Sequence, residues 1–303
     1  MDKSGLPTRS VIAYSSTAIL LQARYEDTRV DRRALGVALT GEQTGSRGRS
    51  FDAWADDYDR FRPRYPEELF DLISTALDLP ERPDVADLGA GTGAASIAMA
   101  RRGWTVYAVE PGSGMRETLT RAVTAARATL EILAGTAEST GLRDGSVDLA
   151  TAAQAFHWFD PPLAVVEMAR IVRSGGGVAL FWNVRDDEAS PFLAAYSGLL
   201  ERYLPGVEVG GKVAADETRT RDHLATNPAF IVEPRRRHLR HAMFMTPAEF
   251  VSLAFTSSYV RGGLAADEQQ QFRSDLAALI RQHHGNQPFR VPYRVDLWLA
   301  RRG

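Results

Sequence analysis

Residues 85–93 of the chain have the sequence Val-Ala-Asp-Leu-Gly-Ala-Gly-Thr-Gly, and the prediction of the fold starts from these residues. A short apolar run ends in Asp87 and is followed by glycines at alternate positions, Gly89, Gly91 and Gly93. Because glycine has no Cβ, it permits left-handed turns and lets a ligand approach the bare backbone. The stretch therefore predicts a buried strand that leads into a ligand-binding loop.

The composition narrows the class of protein further. The 303 residues are 44% apolar and carry a formal net charge of −2, so the chain can bury a large core and does not favour a nucleic-acid partner. The absence of cysteine excludes disulfides, thiolate metal sites and cysteine nucleophiles. The apolar run at residues 11–21 is too short and too interrupted to be a bilayer span or a signal peptide. We therefore expect a cytoplasmic protein with no metal, membrane or nucleic-acid partner.

The first fifty residues differ in character from the rest of the chain. Residues 41–50 are polar and rich in glycine, a composition that is typical of flexible linkers. We expect residues 1–50 to form a flexible N-terminal extension and residues 51–303 to form the folded domain.

From residue 51 onwards the chain alternates between helical and strand patterns. Periodicity predicts strands at 84–88, 105–110, 130–134, 147–152 and 177–182. It predicts the intervening helices at 66–77, 94–102, 113–127 and 161–173, the last of them ended by Gly175, Gly176 and Gly177. Such alternation is typical of a doubly wound α/β fold, in which a mostly parallel sheet carries helices on both faces.

Asp160, Pro161 and Pro162 precede the last of these helices and allow two interpretations. The tripeptide is similar to the signature of amino-methylating enzymes that act on nucleic acids, but Leu163 follows where those enzymes have an aromatic residue. An aspartate at the N-cap with prolines in the first turn accounts for the same residues without any chemistry. We therefore predict that these residues start a helix.

The C-terminal part of the chain predicts helices at 247–260 and 265–284 and a last strand at 290–300. Residues 233–246 alternate loosely and fit one more strand. Because proline cannot donate to a β-ladder, Pro292 must lie at the beginning of the last strand or at an edge. Residues 184–232 give no pattern from which substrate contacts can be assigned.

In a doubly wound sheet, ligands bind beyond the carboxyl ends of the strands. Asp87 and Glu110 lie at the carboxyl ends of the first two predicted strands, and Glu138 follows the third. The segment 154–159 with its aromatic residues follows the fourth. Glu110 lies twenty-one residues after Gly89, the usual separation for an acid that binds a ribose diol. A glycine loop with such an acid also fits a nicotinamide enzyme. Asp87 would repel a pyrophosphate, however, whereas acidic and aromatic groups suit a cationic ligand.

The ordered set of motifs resembles the class I S-adenosylmethionine (SAM)-dependent methyltransferases over roughly residues 51–183. The resemblance is carried by the aromatic segment 51–66, the glycine loop, the Glu110 turn and the segment 155–159. In these motifs the chain is similar to the small-molecule, type 11 branch, which includes trans-aconitate-type enzymes. It implies a Rossmann-like sheet with an antiparallel terminal strand. The implied parts are a helical lid (51–80), a cofactor-binding core (81–183) and a substrate-side excursion with the final strands (184–303).

The resemblance also implies a reaction and a set of site residues. SAM would donate a methyl group to an oxygen, a nitrogen or a carboxylate of a small molecule, an acceptor of the kind found in specialised metabolism. The glycines would admit the methionine part, Glu110 would hold the ribose and Gln154 would face the methyl end. The implied cofactor-binding residues are Tyr58, Arg62, Asp87, Gly89, Ala90, Gly91, Gly93, Glu110, Pro111, Met115, Thr136, Ala137, Glu138 and Gln154. The implied substrate contacts are Tyr65, His157 and Trp158.

Several alternatives stay open at the level of the sequence. His157 would act as a general base for a neutral hydroxyl or amine, but would only line the pocket if the acceptor were a carboxylate. The aromatic residues of the lid either contact the cofactor or pack the lid on the domain. A protein that binds SAM for other chemistry, such as cyclisation, and a nicotinamide oxidoreductase are the alternative functions.

Overall fold

The computed structural model of the chain describes residues 63–207, 217–232 and 236–303, and the structural statements below concern these residues. The predicted N-terminal extension and the lid segment ahead of residue 63, including Tyr58 and Arg62, lie outside the described residues. The rest of the predicted domain can be compared with the sequence element by element.

The described residues form an α/β arrangement. The strands are β1 Asp84–Leu88, β2 Thr105–Val109, β3 Glu131–Leu133, β4 Val147–Ala153, β5 Val172–Arg185, β6 Phe230–Val232, β7 Arg237–Met245 and β8 Phe289–Arg302. The helices are α1 Glu67–Leu77, α2 Ala94–Arg101, α3 Ser113–Ala126, α4 Pro161–Ile171, α5 Pro191–Tyr203, α6 Glu217–Ala225, α7 Pro247–Phe255, α8 Ser258–Gly263 and α9 Ala266–His284. Short 3-10 turns occur at Phe156–Trp158 and Asp187–Ala189.

The strands form one sheet in the order β3-β2-β1-β4-β5-β8-β6, and β7 pairs with β8 beside this path. The pairs among β1 to β5 are parallel, whereas β8 runs antiparallel to β5, β6 and β7. The predicted fold class, with its antiparallel terminal strand, is confirmed. The chain moves outwards in one direction from β1 and in the other from β4, so the switch point at which such sheets bind ligands lies between these two strands.

Three apolar clusters hold the fold together. Helices α1 and α2 pack on one face of the sheet, and helices α4 and α6 pack on the other. The third cluster joins α5, α7, α8 and α9 to the beginning of β8, and we call these helices the helical cap. Because the beginning of β8 pairs with the end of β5, the helical cap lies at the carboxyl end of the sheet. None of the described helices combines the length and the apolar character that crossing a bilayer requires.

The first four predicted strands are confirmed to within one residue at each end. The predicted start of α4 is also confirmed, since the Asp160 side chain accepts a hydrogen bond from the Leu163 amide (3.4 Å) and prolines fill the first turn. Pro292 lies near the beginning of β8, as expected. Its carbonyl accepts a hydrogen bond from the Asp186 amide (3.1 Å), which lies just beyond the end of β5. The position of the N–H that proline lacks is therefore beyond the last residue pair of the β5–β8 ladder.

Two predicted boundaries are wrong. The three glycines do not end α4, because that helix stops at Ile171 and β5 begins at Val172, with the glycines inside the strand. A Cβ at Gly177 would lie 2.8 Å from the Ala300 carbonyl oxygen and from Leu77, so a glycine is required here by close packing rather than by a turn. The helix predicted at 247–260 is in fact two helices, α7 and α8, separated at residues 256–257.

Candidate active site

Asp87 is the buried acidic residue beneath the glycine loop. Its carboxylate is 1% exposed and accepts hydrogen bonds from the Ser96 hydroxyl (2.5 Å) and the Thr151 hydroxyl (3.0 Å). Burial raises the pKa of Asp87 to about 6, because the two hydroxyl donors, which lower it, do not offset the loss of solvation, and the charge of Glu110 raises it further. Sequence reasoning identified Asp87 but missed both of its partners.

This pKa predicts how stability depends on pH. A carboxyl group whose pKa is higher in the folded state than in the unfolded state stabilises the fold while it is protonated, and that contribution is lost as the pH rises through the folded-state value. We expect the free energy of unfolding of the wild type, relative to Asp87→Asn, to fall by about 2 kcal/mol between pH 4.5 and 7.5. Urea denaturation of both proteins at the two pH values measures this difference. Equal pH dependence in the two proteins would contradict the raised pKa of Asp87.

Glu110 directly follows β2 and binds the loops on either side of it. One carboxylate oxygen accepts from the Gly91 amide (2.9 Å) and the other from the Gly112 amide (2.8 Å). The side chain is therefore fixed in the crevice beside β1, with the residue 5% exposed. Each carboxylate oxygen can accept more than one hydrogen bond, which suits a carboxylate to the binding of a diol.

The three glycines of the loop all have positive φ values, +66°, +57° and +91°, but their surroundings differ. A Cβ at Gly89 would lie 2.9 Å from the Ala155 Cβ, and a Cβ at Gly93 would collide with the Leu119 side chain. Among the described residues, a Cβ at Gly91 would meet nothing within 4 Å. Within that part of the chain Gly91 is thus the loop glycine with open space beside its backbone, while the other two allow close packing.

The predicted adenine side consists of the turns after β2 and β3. Met115 and Ala137 are buried, whereas Pro111 and Thr136 are exposed. Glu138 accepts from the Asp160 amide (2.9 Å) and so joins the turn after β3 to the start of α4. Ala90 stays within the glycine loop, where its amide donates to the Val109 carbonyl and its carbonyl accepts from the Gly93 amide. These contacts fix the backbone that would surround an adenine.

Gln154 lies at the carboxyl end of β4 in a left-handed conformation with φ +58°, which is rare for a residue with a side chain and is often retained at functional sites. Its side-chain amide donates to the Asn183 carbonyl (2.9 Å). The Asn183 side chain donates to the Pro63 carbonyl (3.1 Å), and its oxygen lies 2.7 Å from Nε2 of His241. Asn183 therefore joins β4, β5, β7 and the segment that enters α1.

The other predicted substrate residues differ in exposure. His157 is exposed on the 3-10 turn after β4, and its Nδ1 accepts a hydrogen bond from the indole N–H of Trp182 (3.3 Å). Its ring lies 4.8 Å from that of Trp158, which is partly buried. Tyr65 is 8% exposed and packs edge-on against Phe181 (4.9 Å), a contact that belongs to the core under α1.

A separate open depression of about 540 Å³ lies at the opposite, amino end of the parallel strands. Arg170, Arg173 and Arg302 line it, but carboxylates or backbone carbonyls already bind each of these guanidinium groups. Each of these guanidinium groups therefore already has a hydrogen-bond acceptor within the protein. Among the residues that the structure describes, no group of three or more histidine and acidic side chains is placed to hold a metal ion.

Comparison with known proteins gives the family. Residues 86–180 match a family model described as a methyltransferase domain. An uncharacterized methyltransferase from Mycobacterium tuberculosis is 34% identical over 210 residues, which cover 69% of this chain and 77% of the relative. The chain belongs to the class I SAM-dependent methyltransferases. This assignment decides against the nicotinamide oxidoreductase that the glycine loop and Glu110 alone had left open.

Solved structures agree with this family assignment. A candidate type II methyltransferase from Anaeromyxobacter dehalogenans is 27% identical, with a TM-score of 0.59, over 80% of this chain and 98% of that one. The [4+2]-cyclase SpnF is 14% identical, with a TM-score of 0.52, over 86% of this chain and 97% of that one, and shares the fold alone.

The described residues of the methyltransferase fit SAM as the methyl donor. Gly91 leaves its backbone open where a ligand can approach closely. Asp87 and Glu110 place two carboxylates at the switch point, where they favour a ligand that carries ammonium and sulfonium cations. Acidic groups at this position would disfavour a pyrophosphate.

Proposed function

We propose that the methyltransferase transfers the methyl group of SAM to a small-molecule acceptor in the cytoplasm. The observation that supports this site most strongly is the Glu110 carboxylate, which is held by the Gly91 and Gly112 amides at the switch point of the sheet. Such a carboxylate is oriented before a ligand arrives, so little ordering remains to be done on binding.

Different residues of the site would bind different parts of SAM. Glu110 would accept hydrogen bonds from the ribose hydroxyls, and Gly91 would admit the methionine part to the backbone. Asp87, with a pKa of about 6, is mostly ionised at neutral pH and would favour the cationic end of the cofactor through its charge. Ala137 and Glu138 would border the adenine. Tyr58 and Arg62 of the lid are proposed contacts from the sequence alone.

Methyl transfer needs chiefly the alignment of two reactants. SAM supplies an already activated methyl carbon, so a nucleophile held in line with it gains most of its rate from position, with effective molarities of roughly 10⁵–10⁸ M for well-oriented groups. Gln154 is suited to holding this end of the site, since its backbone leaves β4 in a fixed left-handed conformation and Asn183 binds its side chain. His157 and Trp158 would line the acceptor side.

His157 is expected to contribute modestly to the rate. A general base must offer a lone pair to the acceptor, but the Nδ1 lone pair of His157 already accepts from Trp182. We expect His157→Gln to lower kcat by less than about ten-fold, whereas loss of a general base costs about 10²–10⁴-fold. Steady-state kinetics of S-adenosylhomocysteine (SAH) release measure the effect, and a loss in the larger range would identify His157 as the base.

The proposed function is tested with the full chain in two steps. Calorimetric titration with SAM and SAH is expected to show binding, and failure of both ligands to bind would refute the proposal. The protein is then incubated with SAM and a metabolite extract, and mass spectrometry is used to find a product heavier by one CH2 unit together with SAH. Binding of SAM without SAH formation would instead support non-methyl chemistry such as cyclisation.

A further inference from the structure

His241 lies where the last strands of the sheet extend past the cofactor-binding edge. The last residue of β4, Ala153, pairs with Phe181, and β5 continues for four more residues to Arg185. At about 3.3 Å per residue this extension is roughly 13 Å long. β8 and β7 accompany it, and His241 pairs with Tyr293, which pairs with Arg185. These strand ends form a wall beside the carboxyl end of β4.

The hydrogen bonds of Asn183 fix the tautomer of His241. The Pro63 carbonyl can only accept, so the Asn183 nitrogen points towards it and the Asn183 oxygen points towards His241. An amide oxygen is an acceptor, and Nε2 of His241 must therefore carry the proton in this 2.7 Å contact. In the neutral ring the lone pair is then on Nδ1.

The Nδ1 atom of His241 is available to a ligand. Within the described part of the chain this nitrogen has no hydrogen-bond partner, and it is accessible to solvent. The face of the ring stacks on Tyr293 at 5.6 Å, which holds the ring in place without using its lone pair. His157 differs in this respect, because its Nδ1 accepts from the buried Trp182.

The surroundings also favour the neutral ring of His241. Burial lowers the pKa of His241, and the nearby carboxylate of Glu68 on α1 only partly opposes this effect. Among the described residues, the ring contacts the side chains of Tyr293 and Asn183, and Arg185 lies one strand beyond Tyr293. At neutral pH the ring is unprotonated and able to take up a proton.

We propose that His241 is the general base of this methyltransferase and that the acceptor is therefore a neutral hydroxyl or amine rather than a carboxylate. The inference rests on the proposed function, since it assigns the acceptor proton of that reaction. As the acceptor oxygen or nitrogen bonds to the methyl carbon, the carbon–sulfur bond breaks with its electron pair on sulfur. The acceptor proton passes to Nδ1 of His241, and solvent later removes it. The link from Gln154 through Asn183 places His241 beside the methyl end of the predicted site.

The availability of the Nδ1 lone pair of His241 can be tested without a methyl acceptor. Diethyl pyrocarbonate acylates accessible, unprotonated imidazole, and peptide mass spectrometry gives the rate at each histidine of the full chain. We expect His241 to react at least ten-fold faster than His157 at pH 7, with a midpoint of reactivity below the usual pKa range of histidine. Labelling of His241 no faster than that of His157 would overturn the assignment of the lone pair.

The catalytic role is tested in the same extract assay. His241→Gln is expected to lower the rate of SAH formation at pH 7 by at least 100-fold, which is the range of rate loss expected when a general base is removed. The Kd for SAM should stay within two-fold of the wild-type value. His238→Gln, on the opposite face of β7, is the matched control and is expected to retain activity. At saturating SAM, where the effect of Asp87 protonation on cofactor binding is removed, the wild-type rate should fall as the pH falls through the pKa of His241, and the variant should lack this step.

The outcomes separate the two proposals. Activity of His241→Gln within a few-fold of wild type, or an unchanged pH profile, would overturn the role of His241 while methyl transfer stands. Absence of SAM binding in the wild type would refute the proposed function, and the labelling experiment would still decide whether His241 presents a free lone pair.

Discussion

Replacement of Glu110 by alanine is expected to weaken SAH and SAM binding by about 10- to 150-fold, measured by calorimetry. Hydrogen bonds to a charged group contribute about 1.5–3 kcal/mol, and each 1.4 kcal/mol corresponds to a factor of ten in Kd. The variant also leaves the Gly91 and Gly112 amides without their acceptor, so the loop around the open backbone loses its support. The thermal midpoint should therefore fall together with the affinity.

Two further variants isolate the cause. Glu110→Gln keeps the shape of the side chain but turns an N–H donor towards one of two amides that need acceptors. It should therefore bind SAH almost as poorly as the alanine variant. Glu117→Ala removes an exposed carboxylate from α3 and should leave binding unchanged. Wild-type affinity in Glu110→Ala would remove Glu110 from the site and with it the main support for the proposed cofactor position.

The glycine loop and the acids after the strands could be placed from sequence because their signals are local. Asp87 lies near the carboxyl end of β1, and Glu110, Glu138 and Gln154 each follow a strand. The parallel topology brings the ends of these strands to one edge of the sheet. Their roles towards SAM stay predictions. The same rule, applied to the fifth strand, would have drawn attention to Asn183.

The partners of these residues could not be predicted, since they come from distant parts of the chain. Thr151 lies 64 residues after Asp87, and His241 lies 58 residues after Asn183. No spacing rule links such pairs, because strand order and register decide which side chains meet. For the same reason the sequence singled out His157, which follows a strand directly, and missed His241, which β7 brings to the same edge.

The misassigned glycines of β5 show a second limit of sequence patterns. Three consecutive glycines predict the end of a helix when only local conformation is considered. In the structure a Cβ at Gly176 would collide with the Asp148 carbonyl of β4, so contact with a neighbouring strand determines this residue. A sequence pattern alone does not show whether a glycine serves a turn or a close approach.

Alanine substitutions in the glycine loop should also have large effects, and these effects should differ between Gly93 and Gly91. Gly93→Ala is expected to lower the free energy of unfolding by about 2–5 kcal/mol, since alanine is strained at φ +91° and its Cβ would collide with the Leu119 side chain. Gly91→Ala has open space and should lose only about 1–2 kcal/mol from its left-handed backbone. Urea denaturation measures both changes.

Binding should show the reverse order of effects. The new Cβ at Gly91 would occupy the space that the loop leaves open, so Gly91→Ala is expected to lose SAH binding by calorimetry while the protein stays folded. Gly103→Ala is the matched control, with φ +83° and open surroundings at the opposite end of β2. It should show the same small loss of stability and bind SAH normally. If Gly91→Ala also binds SAH normally, the open side of the loop does not face the cofactor, and the ligand must enter the switch point from the side of Gln154.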